Sequence, residues 1–261
     1  NLDTDSSYEY GYISGAVSAV DIDSDGDSDV IYFPVTVSYD PSSGVSDIAD
    51  PGHTWFYKAV IDTSDLDNPE WCEFVDPYDY VEARQEVYYA STTAWHNDGS
   101  LGVYWGTGSP YDRLNSDPGY VFGFIDESPK SCPTTATPIC TGGYLEMDDG
   151  EGLTGNPIAY QGVVYFPTYT PNEDRCESGL GKIRGMAYDT CEAGIDTTGD
   201  GNANAEYVET DGYPSSLTIT SQGNVIWGSS NVGDGADIIG STMSLSDPFK
   251  GTQTLMIREV F

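Results

Sequence analysis

Apolar residues gather along this chain in many short runs, and long stretches with the three-to-four spacing of an amphipathic helix are hard to find. Val, Ile, Tyr, Phe and Thr fill the runs and Gly, Asp, Asn and Pro close them, a pattern of strands joined by turns. Four runs resemble one another: VIYFPV from residue 30, GVYWGTG from 102, VVYFPTY from 163 and VIWGSS from 225. Tyr32, Tyr104, Tyr165 and Ile226 hold the same place in each, separated by 72, 61 and 61 residues. A small-residue strand and a turn precede each run. A further strand follows each, in TWFYKAVIDT, YVFGFIDE, KIRGMAYDT and QTLMIREVF.

Three or four antiparallel strands recurring about every 60 residues form the unit of a β-propeller blade. The expected fold is therefore all-β and β-propeller-like, with about four recognisable blades near residues 12–75, 85–130, 150–210 and 211–261. A sandwich of look-alike strands is the competing architecture. Propellers close with about four to eight blades, so the chain is either a compact ring or the C-terminal part of a larger one. The start at NLDTDSSYEY, without Met or a basic and apolar leader, favours the second and suggests an absent N-terminal region.

Composition agrees with the strand pattern. Of 261 residues, 38% are hydrophobic, and 30 glycines and 15 prolines leave little room for long helices. Charge changes the picture more: 43 acidic residues against 9 basic ones give a formal net charge of −34. Nucleic acid is excluded as a partner, because phosphate binding needs clustered Lys and Arg. Self-repulsion on this scale opposes compaction unless cations offset it. No apolar run approaches the roughly 18 residues that cross a bilayer, so no membrane span is expected.

The densest charge lies in DIDSDGDSDV, residues 21 to 30, between two apolar runs. Asp21, Asp23 and Asp25 fall at positions 1, 3 and 5 of a DxDxDG loop. Gly26 permits the turn, Asp27 offers its carbonyl and Asp29 supplies position 9, the order in which hard oxygen donors wrap Ca2+. Position 12 is Tyr32 instead of Glu, and strands flank the loop where an EF-hand has helices. A second loop, DTTGDGNAN, repeats the order with Asp196, Thr198, Asp200, Asn202 and Asn204, at lower charge and therefore with lower expected affinity.

Five cysteines stand at 72, 132, 140, 176 and 191. The spacings suggest a local disulfide between Cys132 and Cys140 and another between Cys176 and Cys191, leaving Cys72 over. No zinc, haem or thioredoxin spacing occurs, and pairable cysteines on an acidic chain point to an extracytoplasmic setting. The two histidines, His53 and His96, sit on the approaches to different blades, and no GxSxG, HExxH or Walker motif is present. The reading is non-enzymatic. The alternatives are a quinone-dependent dehydrogenase propeller and a carbohydrate-binding surface module using Trp95 or Trp105.

YISGAVSAVDIDSDGDSDVIYF, GVYWGTGSPYD, GVVYFPTYTPNEDRCESGLGKIRGMAYDTCEAGIDTTGDGNAN and TLMIREVF occur in an order and style that resembles the C-terminal β-propeller of the PilY/PilC-like type IV pilus tip-associated proteins. The resemblance spans nearly the whole chain. It implies a secreted protein at the pilus tip, seated on minor pilins, which acts in adhesion to a host or abiotic surface and in pilus assembly and retraction. It also implies calcium in the loop of Asp21, Asp23, Asp25, Asp27 and Asp29, and places Asp196, Thr198, Asp200, Asn202 and Asn204 on a second acidic loop.

Overall fold

A computed structural model describes residues 10–38, 53–62, 69–81, 86–108, 117–132, 135–174, 177–198, 200–210, 212–220, 224–230 and 238–244. The first sheet holds β1 (Tyr10–Ile13), β2 (Ser18–Val20), β3 (Val30–Ser38), β4 (His53–Val60) and β5 (Glu70–Val75). The second holds β6 (Thr92–Trp95), β7 (Leu101–Gly106), β8 (Tyr120–Asp126), β9 (Ala136–Pro138) and β10 (Tyr144–Glu146). The third holds β11 (Gly152–Leu153), β12 (Ile158–Tyr160), β13 (Val163–Thr170), β14 (Leu180–Ala187) and β15 (Tyr207–Thr210). The fourth holds β16 (Tyr213–Pro214), β17 (Thr218–Ile219), β18 (Asn224–Ser230) and β19 (Ile238–Ser244). Among the described residues every strand pairing is antiparallel and stays within its own sheet, and four consecutive blades make an all-β, propeller-like architecture.

The four look-alike runs are β3, β7, β13 and β18, each flanked on both sides in its blade. Side chains alternate across a strand, and here both faces are put to use. Tyr32 turns toward the second blade, joining Phe56 and Phe74 against Trp105, Phe122 and Phe124. Tyr104 turns toward the third, packing with Leu153, Val164 and Phe166. Tyr165 packs with Val225 and Trp227 of the fourth. The residue after each of these positions faces the other way, as Phe33, Trp105, Phe166 and Trp227. Trp105 is wholly buried and stacks on Phe56 with ring centroids 4.2 Å apart.

Polar links run through the same interfaces. The Tyr32 hydroxyl donates to Asp126 Oδ2 at 2.7 Å, and Lys58 Nζ donates to the same oxygen at 2.8 Å and to the Ser128 carbonyl at 2.7 Å. Lys58 and Asp126 are both fully buried, so each charge depends on the other. Between the second and third blades the Tyr104 hydroxyl donates to the Tyr188 carbonyl at 2.5 Å. Its proton thus committed, the phenol oxygen accepts from His96 Nε2 at 2.7 Å, which fixes the imidazole tautomer. Gly102 makes room for this contact: a Cβ there would meet both the Tyr104 hydroxyl and His96 Nε2.

The disulfides differ from the local pairings expected from spacing. Cys72 of β5 bonds Cys132 after β8, with Cα atoms 5.9 Å apart, and Cys140 after β9 bonds Cys191 after β14, 5.2 Å apart. Each bridge therefore joins one blade to the next. Cys132 and Cys140 cannot meet because β9 runs extended between them, pairing Ala136 with Asp126 and Pro138 with Phe124. Closing segments of 60 and 51 residues stabilises by about 4 kcal/mol each in the chain-entropy picture. Cys176 lies outside the described residues, as does QTLMIREVF. Among the described residues the strand that follows β18 and pairs with it is β19.

Glu151, at the entry to the third blade, accepts from Arg184 Nε and Nη2 at 2.6 Å each, from Lys182 Nζ at 3.1 Å and from the Thr168 hydroxyl. Burial pushes its carboxyl upward, but the bonds from Arg184 and Thr168 and the charges of Arg184 and Lys182 outweigh burial and hold it at about 2. A carboxylate lowered in the fold stabilises above its unfolded value of 4.5, and that stability is lost as pH falls from there toward 2. Glu151→Gln should therefore unfold about 3 kcal/mol more easily at pH 7, with the gap closing below pH 3 in urea titrations. A gap independent of pH would overturn this account.

His96 is also lowered, but here the fold favours the neutral form instead of the charged one. Burial lowers its pKa, and nearby Asp98 and Asp189 only partly offset that. The fold thus binds the imidazole neutral, and its contribution, complete above the unfolded value of 6.5, is lost as pH falls below it. In denaturant midpoints taken from pH 7.5 to 5, wild type should lose more stability than His96→Gln. Parallel profiles would show instead that the imidazole takes up its proton as readily in the fold as in the unfolded chain.

Candidate metal centre

The acidic loop is the turn of the β2–β3 hairpin. The Val20–Val30 pair ends the ladder, and the Asp29 amide donates to the Val20 carbonyl at 2.9 Å. Nine residues must then turn inside that closure. Ser24 and Gly26 adopt left-handed φ angles of 63° and 101°, the second being a conformation that costs glycine little. The carboxylates cap the loop from within. Asp21 accepts the amides of Ser24 at 2.6 Å and Gly26 at 2.9 Å, Asp25 accepts that of Asp27 at 2.9 Å, and Asp29 Oδ2 accepts that of Ile22 at 2.7 Å.

This folding of the loop brings one oxygen each of Asp21, Asp23 and Asp29 within 4.8 Å of one another. Two oxygens bound to one Ca2+ at about 2.3–2.6 Å stand no more than about 5 Å apart, so the three fit one coordination sphere. The residues fit the ion in chemistry as well, being hard oxygen donors alone. The carboxylates of Asp25 and Asp27 do not join the group; both are exposed, and Asp25 is engaged with the backbone. A cationic group already reaches the cluster: Lys130 Nζ lies 2.6 Å from Asp23 Oδ2 and 3.0 Å from Asp29 Oδ1. Its hydrogen bond holds the Asp23 carboxyl below the ordinary range.

The second loop lies in another connection, after β14, yet folds on the same frame. The Ile195–Ala205 bridge closes it, and the Asn204 amide donates to the Ile195 carbonyl at 2.8 Å. Asp196 accepts the amides of Thr198 at 2.9 Å and Gly201 at 2.7 Å, Asp200 accepts that of Asn202 at 2.9 Å, and Asn204 Oδ1 accepts that of Thr197 at 3.0 Å. Asn204 here takes the role of Asp29, and Thr198 stands where the first loop has Asp23. Where the first loop sets Asp23 and Asp29 against each other, two neutral side chains meet here, Asn204 Nδ2 donating to the Thr198 hydroxyl at 3.2 Å.

The remaining candidates take other places. Trp105 is sealed inside the blade interface, so it offers no stacking surface to a sugar. Trp95 packs against the same core. His96 lines a cleft of about 280 Å³ with Asp98, Glu127 and Asp189, but its ring is held by Tyr104 and Tyr188. Sequence reasoning missed Lys130 altogether. The one hint is scarcity: among 9 basic residues, any single cation on so acidic a chain is drawn to a carboxylate cluster.

Among the described residues no helix is long and apolar enough to cross a membrane, and two interblade disulfides fit maturation in an oxidising compartment. The chain matches no protein-family model and no curated protein. Among solved structures it is similar to a neuraminidase-like protein from A/bat/Guatemala/164/2009, at 12% identity and TM-score 0.39 over 82% of this chain and 48% of that one. It is also similar to a bifunctional GH43-CE protein of Bacteroides eggerthii, at 12% identity and TM-score 0.32 over 82% of this chain and 23% of that one. An alpha-L-arabinanase of Cellvibrio cellulosa aligns at 10% identity and TM-score 0.36, covering 83% of this chain and 70% of that one. The chain thus spans less than half the length of the first two, and likenesses this distant carry no inference about activity.

Proposed function

We propose that this chain is a non-enzymatic, calcium-binding extracellular β-propeller that presents a rigid surface to a partner. The observation that carries the reading is the convergence of Asp21, Asp23 and Asp29 inside a hairpin turn. Asp21, Asp23 and Asp29 would hold the ion, and the loop of Asp196 and Asp200 would be a weaker second site, having fewer charges. Bound Ca2+ supplies positive charge where carboxylates otherwise repel one another. The chain's own residues do the rest: the Asp21 and Asp29 caps fix the turn, and the Val20–Val30 pair passes that order to the central strand β3.

The biological setting follows from the sequence resemblance to PilY/PilC-like pilus tip proteins. In that reading the domain sits at the tip of a type IV pilus, contacts minor pilins and takes part in surface attachment and in pilus assembly and retraction. Calcium would set the order of its loops and so the strength of those contacts.

Calorimetric titration with Ca2+ should show binding to wild type that Asp23→Ala weakens at least tenfold. At a hundred times the dissociation constant, calcium should add roughly 2.7 kcal/mol to stability, so chelator should lower the melting temperature of wild type by several degrees and that of Asp23→Ala by about half as much or less. Absence of a binding heat together with a melt indifferent to chelator would refute the proposal. The pilus setting has its own check, in whether purified minor pilins bind the domain more tightly in calcium than in chelator.

A further inference from the structure

We propose that Lys130 is a tethered counter-cation that competes with calcium for the Asp21–Asp23–Asp29 loop, so that the junction of the first two blades sets the calcium threshold. The inference rests on the calcium reading of that loop and adds its regulation.

The ammonium engages one oxygen each of Asp23 and Asp29. Asp29 Oδ1 faces Lys130 at 3.0 Å while its Oδ2 is taken by the Ile22 amide at 2.7 Å. Asp23 Oδ2 faces Lys130 at 2.6 Å. A calcium ion held by Asp23 and Asp29 needs lone pairs now directed at the ammonium, at about 2.3–2.6 Å. An ammonium and a divalent cation cannot share those oxygens at such distances without strong repulsion, so metal entry requires the lysine to leave.

Lys130 is also held in place to compete. It belongs to the second blade, 107 residues from Asp23 in sequence. On one side the Ser128 carbonyl accepts from buried Lys58 of the first blade, and the Ser128 amide donates to Asp126 at 2.9 Å. On the other side the Cys132–Cys72 bridge ties the chain to β5, and a Ser131-to-Ser128 turn lies between. Anchors two residues to either side keep the ammonium at high effective concentration beside the loop. The side chain itself is 44% exposed, so it can swing into solvent while both anchors stay. At low calcium the lysine offsets the carboxylates and preserves the turn; at high calcium the ion replaces it and frees a cation at the blade junction.

The test is calorimetric Ca2+ titration of the whole chain at fixed ionic strength, with wild type, Lys130→Met and Lys130→Arg. Competition predicts about tenfold tighter binding by Lys130→Met, and affinity within about twofold of wild type for Lys130→Arg, which keeps the charge. In chelator Lys130→Met should melt below wild type, and calcium should raise its melting temperature by the larger amount. If wild type binds and Lys130→Met binds equally or more weakly, the lysine supports the loop without competing and this inference fails alone. If neither wild type nor Lys130→Met binds calcium, the calcium reading fails and the inference goes with it.

Discussion

Everything in this fold depends on one demand placed on a short strand, that it bury both of its faces. A blade of four or five strands buries most of its apolar surface against its neighbours, so the central strand of an inner blade needs apolar partners in the blade before and the blade after. The aromatic pairs Tyr104–Trp105 and Tyr165–Phe166 meet that demand by period-two geometry, one ring for each neighbour, whereas in the first blade Tyr32 faces the second blade and Phe33 packs with Val35, Tyr57 and Ala59 of its own blade. A shift of one residue in register would exchange the two interfaces, so the pairing of every blade is fixed by its neighbours. The tyrosine adds direction: in the first two blades its hydroxyl reaches an acceptor in the next blade, Asp126 or the Tyr188 carbonyl.

Charge is managed by the same economy. A chain with a net charge of −34 has few cations to place, and several of them are committed to blade junctions and connections. Lys58 answers Asp126 between the first two blades, while Lys182 and Arg184 answer Glu151 where the chain enters the third. Removing one partner from such a buried pair leaves an uncompensated charge, which costs more than the pair contributes. Lys130 is the exposed member of this set, and it stands where the carboxylates are densest. The segment from Asp126 to Cys132 therefore carries a buried ion pair, a surface ion pair and a disulfide, all directed at the first blade.

The sequence by itself determined the elements. Short, nearly continuous apolar runs marked β3, β7, β13 and β18, because a strand buried on both faces must be apolar at nearly every position. The acidic loop was legible too, since carboxylates at alternating positions and a glycine at a fixed offset are a local code for a turn, and the second loop repeated that code with Asn204 and Thr198. Partners across blades had no such code. Cys132 stands close to Cys140 in sequence, yet an intervening strand separates them and blade packing gives Cys132 to Cys72 and Cys140 to Cys191. Trp105, a plausible ring for a surface, is sealed between sheets, and His96 is bound by two tyrosines of different blades. Lys130 meets Asp23 and Asp29 only because two anchors bring its loop across a junction. Local spacing decides strands and turns because backbone geometry is local; which side chains meet was decided only by the stacking of the blades, since those contacts join residues 51 to 107 positions apart.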